Sequence, residues 1–151
     1  MNSTTLKRII ILFVSAPLLI FLSCSSKTPE MVDGKLMPCP KSPNCVSSES
    51  ENTASQIEPF TFHGSPEKAW SVLKDSIVEM NGNIQDEKNG YLRATFTSRL
   101  FRFVDDLECR MVSAKGVIHI RSGSRTGYSD FGVNKKRVEE LRSIFNKMKN
   151  K

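Results

Sequence analysis

The dipeptide Asn89-Gly90 is the feature of this 151-residue sequence that most constrains its fold. Both central positions of a type I′ turn need a positive φ, which asparagine and glycine adopt more readily than other residues. Strand-like segments at residues 83–88 and 91–97 flank the dipeptide. The sequence therefore predicts a β-hairpin, and with it an antiparallel sheet.

A longer strand is predicted from about Leu100 to Ser113, because apolar and charged residues alternate along it. Its predicted apolar face consists of Phe101, Phe103, Leu107, Cys109 and Met111. Its other face carries Asp106, Glu108 and Arg110.

A second hairpin is predicted at Lys115-Gly116, which follows the long strand. A two-residue loop would align the apolar faces of the two strands and place Arg110 opposite Arg121. Arginines in that position repel each other, and we expect the diagonal neighbours Glu108 and Asp106 to offset the repulsion.

Two amphipathic helices are predicted, one before the strands and one after them. The first follows Ser65-Pro66, which suits an N-cap and a first helical residue, and ends at Asn81-Gly82. The second starts near Asn134, a good N-cap. With an extra strand around residues 56–62, this order predicts an α+β fold: an antiparallel sheet of four to five strands with two helices packed on one face.

The N-terminus has the pattern of an export signal. Lys7 and Arg8 precede an apolar run of 14 residues, at positions 9–22. A membrane-spanning helix needs about 20 apolar residues, so the run suits a secretory signal peptide better. The segment Phe21-Leu22-Ser23-Cys24 resembles the lipobox of bacterial lipoproteins, although Phe21 stands where leucine is usual. The alternative is a short uncleaved anchor helix.

These patterns divide the chain into a lipoprotein signal peptide at residues 1–23, a tether at 24–36 and a single domain at 37–151. Cys24 would carry the lipid, such as palmitate, and hold the protein to the membrane of the bacterial cell envelope. Removing residues 1–23, which hold two cations and no acid, lowers the formal net charge from +6 to +4. Export argues against nucleic acid as a partner, whereas anionic lipid, a glycan or a protein suits a basic surface.

The other cysteines have separate predicted roles. Cys39 and Cys45 lie six positions apart in a proline-rich segment and could form a disulfide after export. A metal site is the alternative for this pair, although no histidine or third cysteine lies nearby. Cys109 is expected to be a buried free thiol.

The segment from Arg121 to Arg137 concentrates arginines, glycines and polar side chains. Cations at a helix start oppose the helix dipole, so they suggest an anion docked there. The anion could be external, or Asp130 could supply the charge internally. The candidate binding or structural residues are Asp105, Asp106, Arg121, Ser122, Arg125, Tyr128, Asp130, Asn134 and Arg137.

Asp105-Asp106 is unusual because alternation places Asp105 on the apolar side of its strand. Asp105 could pair with Arg121 or Arg125 as a structural latch. Alternatively, the two aspartates and Glu108 could form a catalytic or metal-binding group, although successive strand positions point to opposite faces. No phosphate-binding loop, dinucleotide fingerprint or zinc-protease motif accompanies them, and we predict no cofactor and no metal.

Three blocks of the sequence occur in the order typical of one family. Residues 38–48 read PCPKSPNCVSS, residues 103–108 read FVDDLE, and residues 121–139 read RSGSRTGYSDFGVNKKRVE. Together they resemble the DUF1499 family of domains of unknown function, with Gly123 where alanine is common and Lys135-Lys136 where Arg-Lys is common. The resemblance implies a single compact domain, often on exported or membrane-associated proteins, and it implies no reaction.

Two functions remain open from the sequence. The first is a lipid-anchored cell-envelope protein, a non-enzymatic binding or structural module whose Arg/Gly-rich loop binds an anion or a partner. The second is a hydrolase or transferase that uses Asp105, Asp106 or Glu108 on an anionic substrate gripped by Arg121 and Arg125.

Overall fold

The computed structural model describes residues 29–99 and 102–150. Two helices and six strands follow one another along the chain: β1 Cys45–Ser47, β2 Phe60–Thr61, α1 Pro66–Glu79, β3 Asn83–Lys88, β4 Tyr91–Thr97, β5 Val104–Val112, β6 Val117–Ser124 and α2 Val133–Lys149. No helix in these two ranges is long and apolar enough to cross a membrane. The predicted signal peptide and Cys24 lie outside the described residues.

The strands form one antiparallel sheet in the order β1-β6-β5-β4-β3, and β2 pairs with the opposite end of β6 from β1. The predicted α+β class and antiparallel sheet are confirmed, but the sheet has six strands instead of four to five. The additional strand is β1, whose three residues follow the proline-rich segment. A strand this short contains no alternation that a sequence pattern could reveal.

The β3–β4 hairpin forms as the sequence predicts, with the same strand limits. Asn89 and Gly90 have φ values of 51° and 74°, which a type I′ turn requires at both positions. Tyr91 pairs with Lys88 across the turn. The pairing slips once, at a bulge between Ile84 and Asp86.

The predicted two-residue loop between β5 and β6 is wrong. A 3₁₀ turn at Ser113–Lys115 and Gly116, with φ 61°, make a four-residue connection. The longer loop shifts the pairing by two residues and keeps the same side chains on the same face. As a result Arg121 lies opposite Glu108, so opposite charges face each other where two arginines were expected.

Strand β5 begins at Val104, later than the predicted start near Leu100. Phe103 is 52% exposed and does not belong to the apolar face. Arg102 has a φ of 55°, which is incompatible with an extended strand and explains the late start. The predicted positions Leu100 and Phe101 lie outside the described residues.

Helix α1 begins as predicted, because Ser65 Oγ accepts a hydrogen bond from Lys68 N and Pro66 is the first helical residue. Both helices pack on one face of the sheet, as expected. The core between them is apolar and contains Leu73, Ile77, Leu92, Leu107, Cys109, Ile118, Ile120, Leu141 and Phe145, all with no exposed surface.

The opposite face of the sheet is charged, and its side chains are buried or partly buried. We call it the ionic face; it comprises Arg93, Asp106, Glu108, Arg110 and Arg121. The chain at residues 29–40 covers it, with Pro29 and Leu36 buried. The sheet therefore separates an apolar layer under the helices from an ionic layer under the N-terminal segment.

Candidate functional site

Asp105 and Asp106 lie on opposite faces of β5, as successive strand residues must. Both are buried, and both accept hydrogen bonds from arginines. Pairing between β5 and β6 is regular along its whole length, so no distortion brings the two carboxylates together. The predicted site residues therefore divide into two separate clusters, one on each face of the sheet.

On the ionic face, Arg125 holds Asp106 with two hydrogen bonds. Nε lies 2.7 Å from Oδ2, and Nη2 lies 2.8 Å from Oδ1. Arg93 adds a third bond at 3.4 Å and also pairs with Asp86. The Asp106 side chain is only 3% exposed, so this two-pronged contact ties the chain after β6 to the centre of the sheet.

Glu108 lies beside this group and is completely buried. Its Oε2 accepts a hydrogen bond from Arg121 Nη1 at 2.8 Å, and its Oε1 accepts one from the Tyr91 hydroxyl at 2.9 Å. Burial raises the pKa of the Glu108 carboxyl, although Arg121 and Tyr91 act in the opposite direction. Arg121 Nε is buried without a partner among the described residues.

A further ion pair of the ionic face joins Arg110 to Glu49, which precedes β2. Glu49 also accepts a hydrogen bond from the backbone N–H of Leu36 at 2.8 Å. Burial pushes the pKa of Glu49 upward, but the bonds from Arg110 and Leu36 outweigh it, and the pKa is lowered overall. This contact fastens the covering segment to the sheet.

On the helix side, Asp105 pairs with Arg137 of α2 at 2.6 Å. The sequence-based pairing of Asp105 with Arg121 or Arg125 is therefore wrong. Alternation along β5 places Asp105 on the face opposite to these two arginines. Arg121 pairs with Glu108 instead, and Arg125 pairs with Asp106.

Asn134 is the centre of the helix-side cluster and is fully buried. Its Oδ1 accepts hydrogen bonds from Ser122 Oγ at 2.6 Å and from Arg137. Its Nδ2 donates to the Asn44 carbonyl, to Ser124 Oγ and to Asp130. One amide thus joins β6, α2 and the residue before β1.

The predicted role of Asn134 as N-cap is wrong, since α2 begins at Val133 and its N-cap residue is Gly132. Glycine has no side chain that could cap the helix, and the carboxylate of Asp130 supplies the acceptor instead. Its Oδ1 accepts from Gly132 N at 2.9 Å and its Oδ2 accepts from Asn134 N at 2.8 Å. The carboxylate at the helix start is therefore supplied by the chain itself.

The predicted disulfide between Cys39 and Cys45 is present, with Cα atoms 5.6 Å apart. Cys109 is a buried free thiol, as expected, and burial raises its pKa. A Cβ atom on Gly123 would lie 3.2 Å from Cys45 Sγ. The disulfide is therefore packed directly against the end of β6.

The β6–α2 loop, residues 125–132, is the part of the Arg/Gly-rich segment that faces outward. Tyr128 is 78% exposed and Phe131 is 96% exposed. Phe131 has a φ of 53°, a strained conformation for an aromatic residue. The loop is held by the Asn44 side-chain amide, which donates to the Gly127 carbonyl at 2.6 Å.

Tyr128 is among the candidate residues that the sequence suggests, whereas Phe131 is not. The sequence does carry a signal for the exposure of Phe131. It lies between Asp130 and Gly132, outside any helical or strand periodicity that would place it on a buried face. Val133, two residues further on at the start of α2, is also apolar and is 48% exposed.

Two shallow clefts flank this region. One of about 320 Å³ lies beside the β6–α2 loop and is lined in part by Lys41, Ser129 and Lys135. Another of about 250 Å³ opens on the ionic face, where Pro29 and Arg125 both contribute to the wall. Within residues 29–99 and 102–150, no three His, Cys, Asp or Glu side chains are grouped so that they could hold a metal ion.

Comparison with curated proteins and with solved structures finds no match. A family model described as "Protein of unknown function (DUF1499)" matches residues 35–145, and so includes both clusters, the disulfide and the β6–α2 loop. The chain belongs to the DUF1499 family.

Proposed function

We propose that this chain is a lipid-anchored protein of the bacterial cell envelope that acts as a non-enzymatic binding module. Its binding surface is the β6–α2 loop together with Lys135 and Lys136, and the partner presents anionic groups. The outward-facing Phe131 is the observation that carries the proposal.

A phenylalanine that is almost fully exposed in a left-handed backbone conformation contributes little to folding. Strain of this kind persists only where the surroundings impose it, and it concentrates at functional sites. Here Gly127 and Gly132, with φ values of 90° and 81°, shape the loop, and Asp130 fixes its end to α2. The conformation of the loop thus keeps the Phe131 side chain exposed to solvent.

The buried acids favour a binding role over catalysis. Asp106 and Glu108 accept hydrogen bonds at both of their oxygens, and Asp105 is bound to Arg137. A general acid, base or nucleophile must reach the substrate, which these carboxylates cannot do without breaking buried ion pairs. The cleft on the ionic face is lined by Asp106, Arg121 and Arg125, but the ion pairs already occupy the groups that a hydrolase or transferase would use.

Arg125 and Arg137, which the sequence suggests as direct ligands for an anion, are engaged by Asp106 and Asp105. The cations that remain exposed at the loop are Lys135 and Lys136. The proposal therefore assigns contact with the partner to these lysines and to the aromatic side chains, and assigns a structural role to the arginines.

The anchor half of the proposal rests on the sequence of residues 1–24. The full chain should be produced in a bacterial host and its mature N-terminus analysed by mass spectrometry. Acylated Cys24 at the new N-terminus is expected, and an intact Met1 would contradict the anchor.

The binding half is tested by site-specific photo-cross-linking in the same cells. A photoreactive residue at position 131 should give adducts, whereas the same residue at Ala114, in the exposed turn at the other end of the sheet, should not. Equal labelling at both positions, or none, would contradict a binding loop.

A further inference from the structure

We infer that the partner of the β6–α2 loop is the anionic lipid bilayer itself, with Tyr128 and Phe131 inserted at the headgroup level and Lys135 and Lys136 facing lipid phosphates. The inference rests on the proposed lipid anchor and identifies the surface that the loop binds. It makes the protein a two-point membrane binder, attached by a lipid and by a loop.

Tyr128 and Phe131 are residue types that favour a membrane interface. Tyrosine places an apolar ring and a polar hydroxyl across the boundary, and phenylalanine supplies apolar area below it. Val133, two residues further on, is also apolar and exposed. Peripheral segments that bind membranes combine such residues with lysine or arginine, as this one does.

The charge that faces outward here is positive. Asp130 turns its carboxylate inward onto the backbone N–H groups of Gly132 and Asn134. Lys135 and Lys136 are exposed in the first turn of α2, where they oppose the helix dipole. An anionic surface removes that disadvantage, since each lysine near it gains favourable interaction energy.

The acidic residues of α2 offset only part of this charge. Glu139 is paired with Arg142. Glu140 lies one helical turn beyond Lys136 and lines the same cleft, so it faces Lys136, whereas Lys135 lines the cleft beside the loop. Lys41, which lines the same cleft as Lys135, adds a third cation on the side of the N-terminal segment.

The length of the tether is compatible with both contacts. Pro29 and Arg125 line one cleft, so the described chain begins near the first residue of the loop. Cys24 precedes Pro29 by five residues, which span at most about 18 Å when fully extended. A lipid on Cys24 would therefore keep the loop within reach of the same bilayer.

The test uses the full, acylated chain with one fluorescent label. Phe131→Cys places a thiol-reactive, polarity-sensitive dye in the loop, and Ala114→Cys places it at the far end of the sheet. The native cysteines should not compete, since Cys109 is buried and Cys39 and Cys45 form a disulfide. Each protein is reconstituted into vesicles of phosphatidylethanolamine and phosphatidylglycerol.

The dye at position 131 should show a blue-shifted emission and be quenched by spin-labelled lipid, whereas the dye at position 114 should do neither. Replacing Lys135 and Lys136 by glutamine should lower the ratio of inserted to free loop by about fivefold per lysine. Neutral phosphatidylcholine vesicles should have the same effect as these substitutions.

Two results would overturn the inference while leaving the anchor intact. One is an acylated protein whose dye at position 131 behaves like the dye at position 114. The other is a dye that is shielded in cells but never quenched by lipid, which would assign the loop to a protein or glycan. Absence of acylation at Cys24 would instead refute the anchor on which the inference rests.

Discussion

Arg121 and Glu108 face each other across strands β6 and β5, with Arg121 Nη1 2.8 Å from Glu108 Oε2. Both side chains are buried, and Tyr91 binds the second oxygen of the carboxylate. Removing one partner of such a pair strongly destabilises a protein, because the remaining buried charge is neither paired nor solvated. The pair therefore stabilises the register that the four-residue connection sets between β5 and β6.

Arg121→Ala should destabilise the protein by about 3–5 kcal/mol, since it leaves the Glu108 carboxylate buried without its cation. Urea unfolding of the variant measures the loss. The matched double variant, Arg121→Met with Glu108→Leu, should recover much of the stability because no charge remains to be buried. The single variants Arg121→Met and Glu108→Leu complete the cycle, and a loss in the double variant equal to the sum of their losses would show that the pair is not coupled.

Glu108 should also give the protein a distinct dependence on pH. Burial raises the folded pKa of Glu108 above its value in the unfolded chain, so its contribution is greatest below the unfolded value of about 4.3. That contribution is lost as the pH rises through the folded pKa.

The stability of the wild-type chain relative to Glu108→Gln should therefore fall as the pH rises across this window. Glu49 provides the opposite case, because its folded pKa is lowered. Its contribution is present above the unfolded pKa and disappears as the pH falls through the folded one. Urea unfolding of the wild type, Glu108→Gln and Glu49→Gln from pH 3 to 7 measures both contributions. If the two stability differences from the wild type changed with pH in the same direction, the opposite pKa shifts of Glu108 and Glu49 would be contradicted.

Local signals predicted much of the fold, whereas contacts between distant residues could not be read from the sequence. Asn89-Gly90 and Ser65-Pro66 each carry their own backbone preference, and the structure follows both. The partner of Asp105 depends on how α2 packs against the sheet, and no local pattern encodes that packing.

The ionic face illustrates the same limit. Alternation predicts that Asp106, Glu108 and Arg110 share a face, which is correct. A charged face ordinarily indicates solvent, but here residues 29–40 cover it. The alternation of a strand reveals which residues are neighbours and carries no information about what lies above them.

Position 82 requires glycine because neighbouring side chains leave no room for a Cβ atom. The sequence suggests Asn81-Gly82 as a helix end, and it is Asn81 that has the left-handed conformation, with φ 61°. A Cβ atom on Gly82 would lie 2.6 Å from Ile77 Cγ2 and 2.7 Å from Phe96 Cζ. Gly82→Ala should therefore destabilise the protein by about 1–3 kcal/mol through overpacking.

Asn81→Gly is the matched control for this prediction. Glycine adopts a positive φ without penalty, so this variant should be as stable as the wild type. Thermal unfolding compares the two variants. A loss of stability in Asn81→Gly that equals the loss in Gly82→Ala would assign the effect to the helix end instead of to packing.

Asp130 caps α2 and binds Asn134, so Asp130→Ala should cost about 0.5–2 kcal/mol. Lys135→Ala is the control in the same turn. It removes a cation that opposes the helix dipole and should leave stability unchanged or slightly higher. Urea unfolding measures both, and equal losses would contradict the capping role of Asp130.

The disulfide should protect the cover of the ionic face more than the rest of the fold. It closes a loop whose ends are six positions apart, and such a short loop stabilises the protein by about 2 kcal/mol. The chain beside it remains tied by Asn44, whose carbonyl accepts from Ser124 N and from Asn134 Nδ2. Loss of the disulfide should therefore loosen residues 36–43 without unfolding the sheet.

Hydrogen exchange of the double variant Cys39→Ala with Cys45→Ala measures this effect. Faster exchange is expected at the Leu36 N–H, which donates to Glu49, while the amides of α1 should remain protected. Treating the wild type with a reductant should give the same pattern, because Cys109 is buried and unaffected. Uniformly faster exchange would mean that the disulfide supports the whole domain, since the cover and the sheet would then open together.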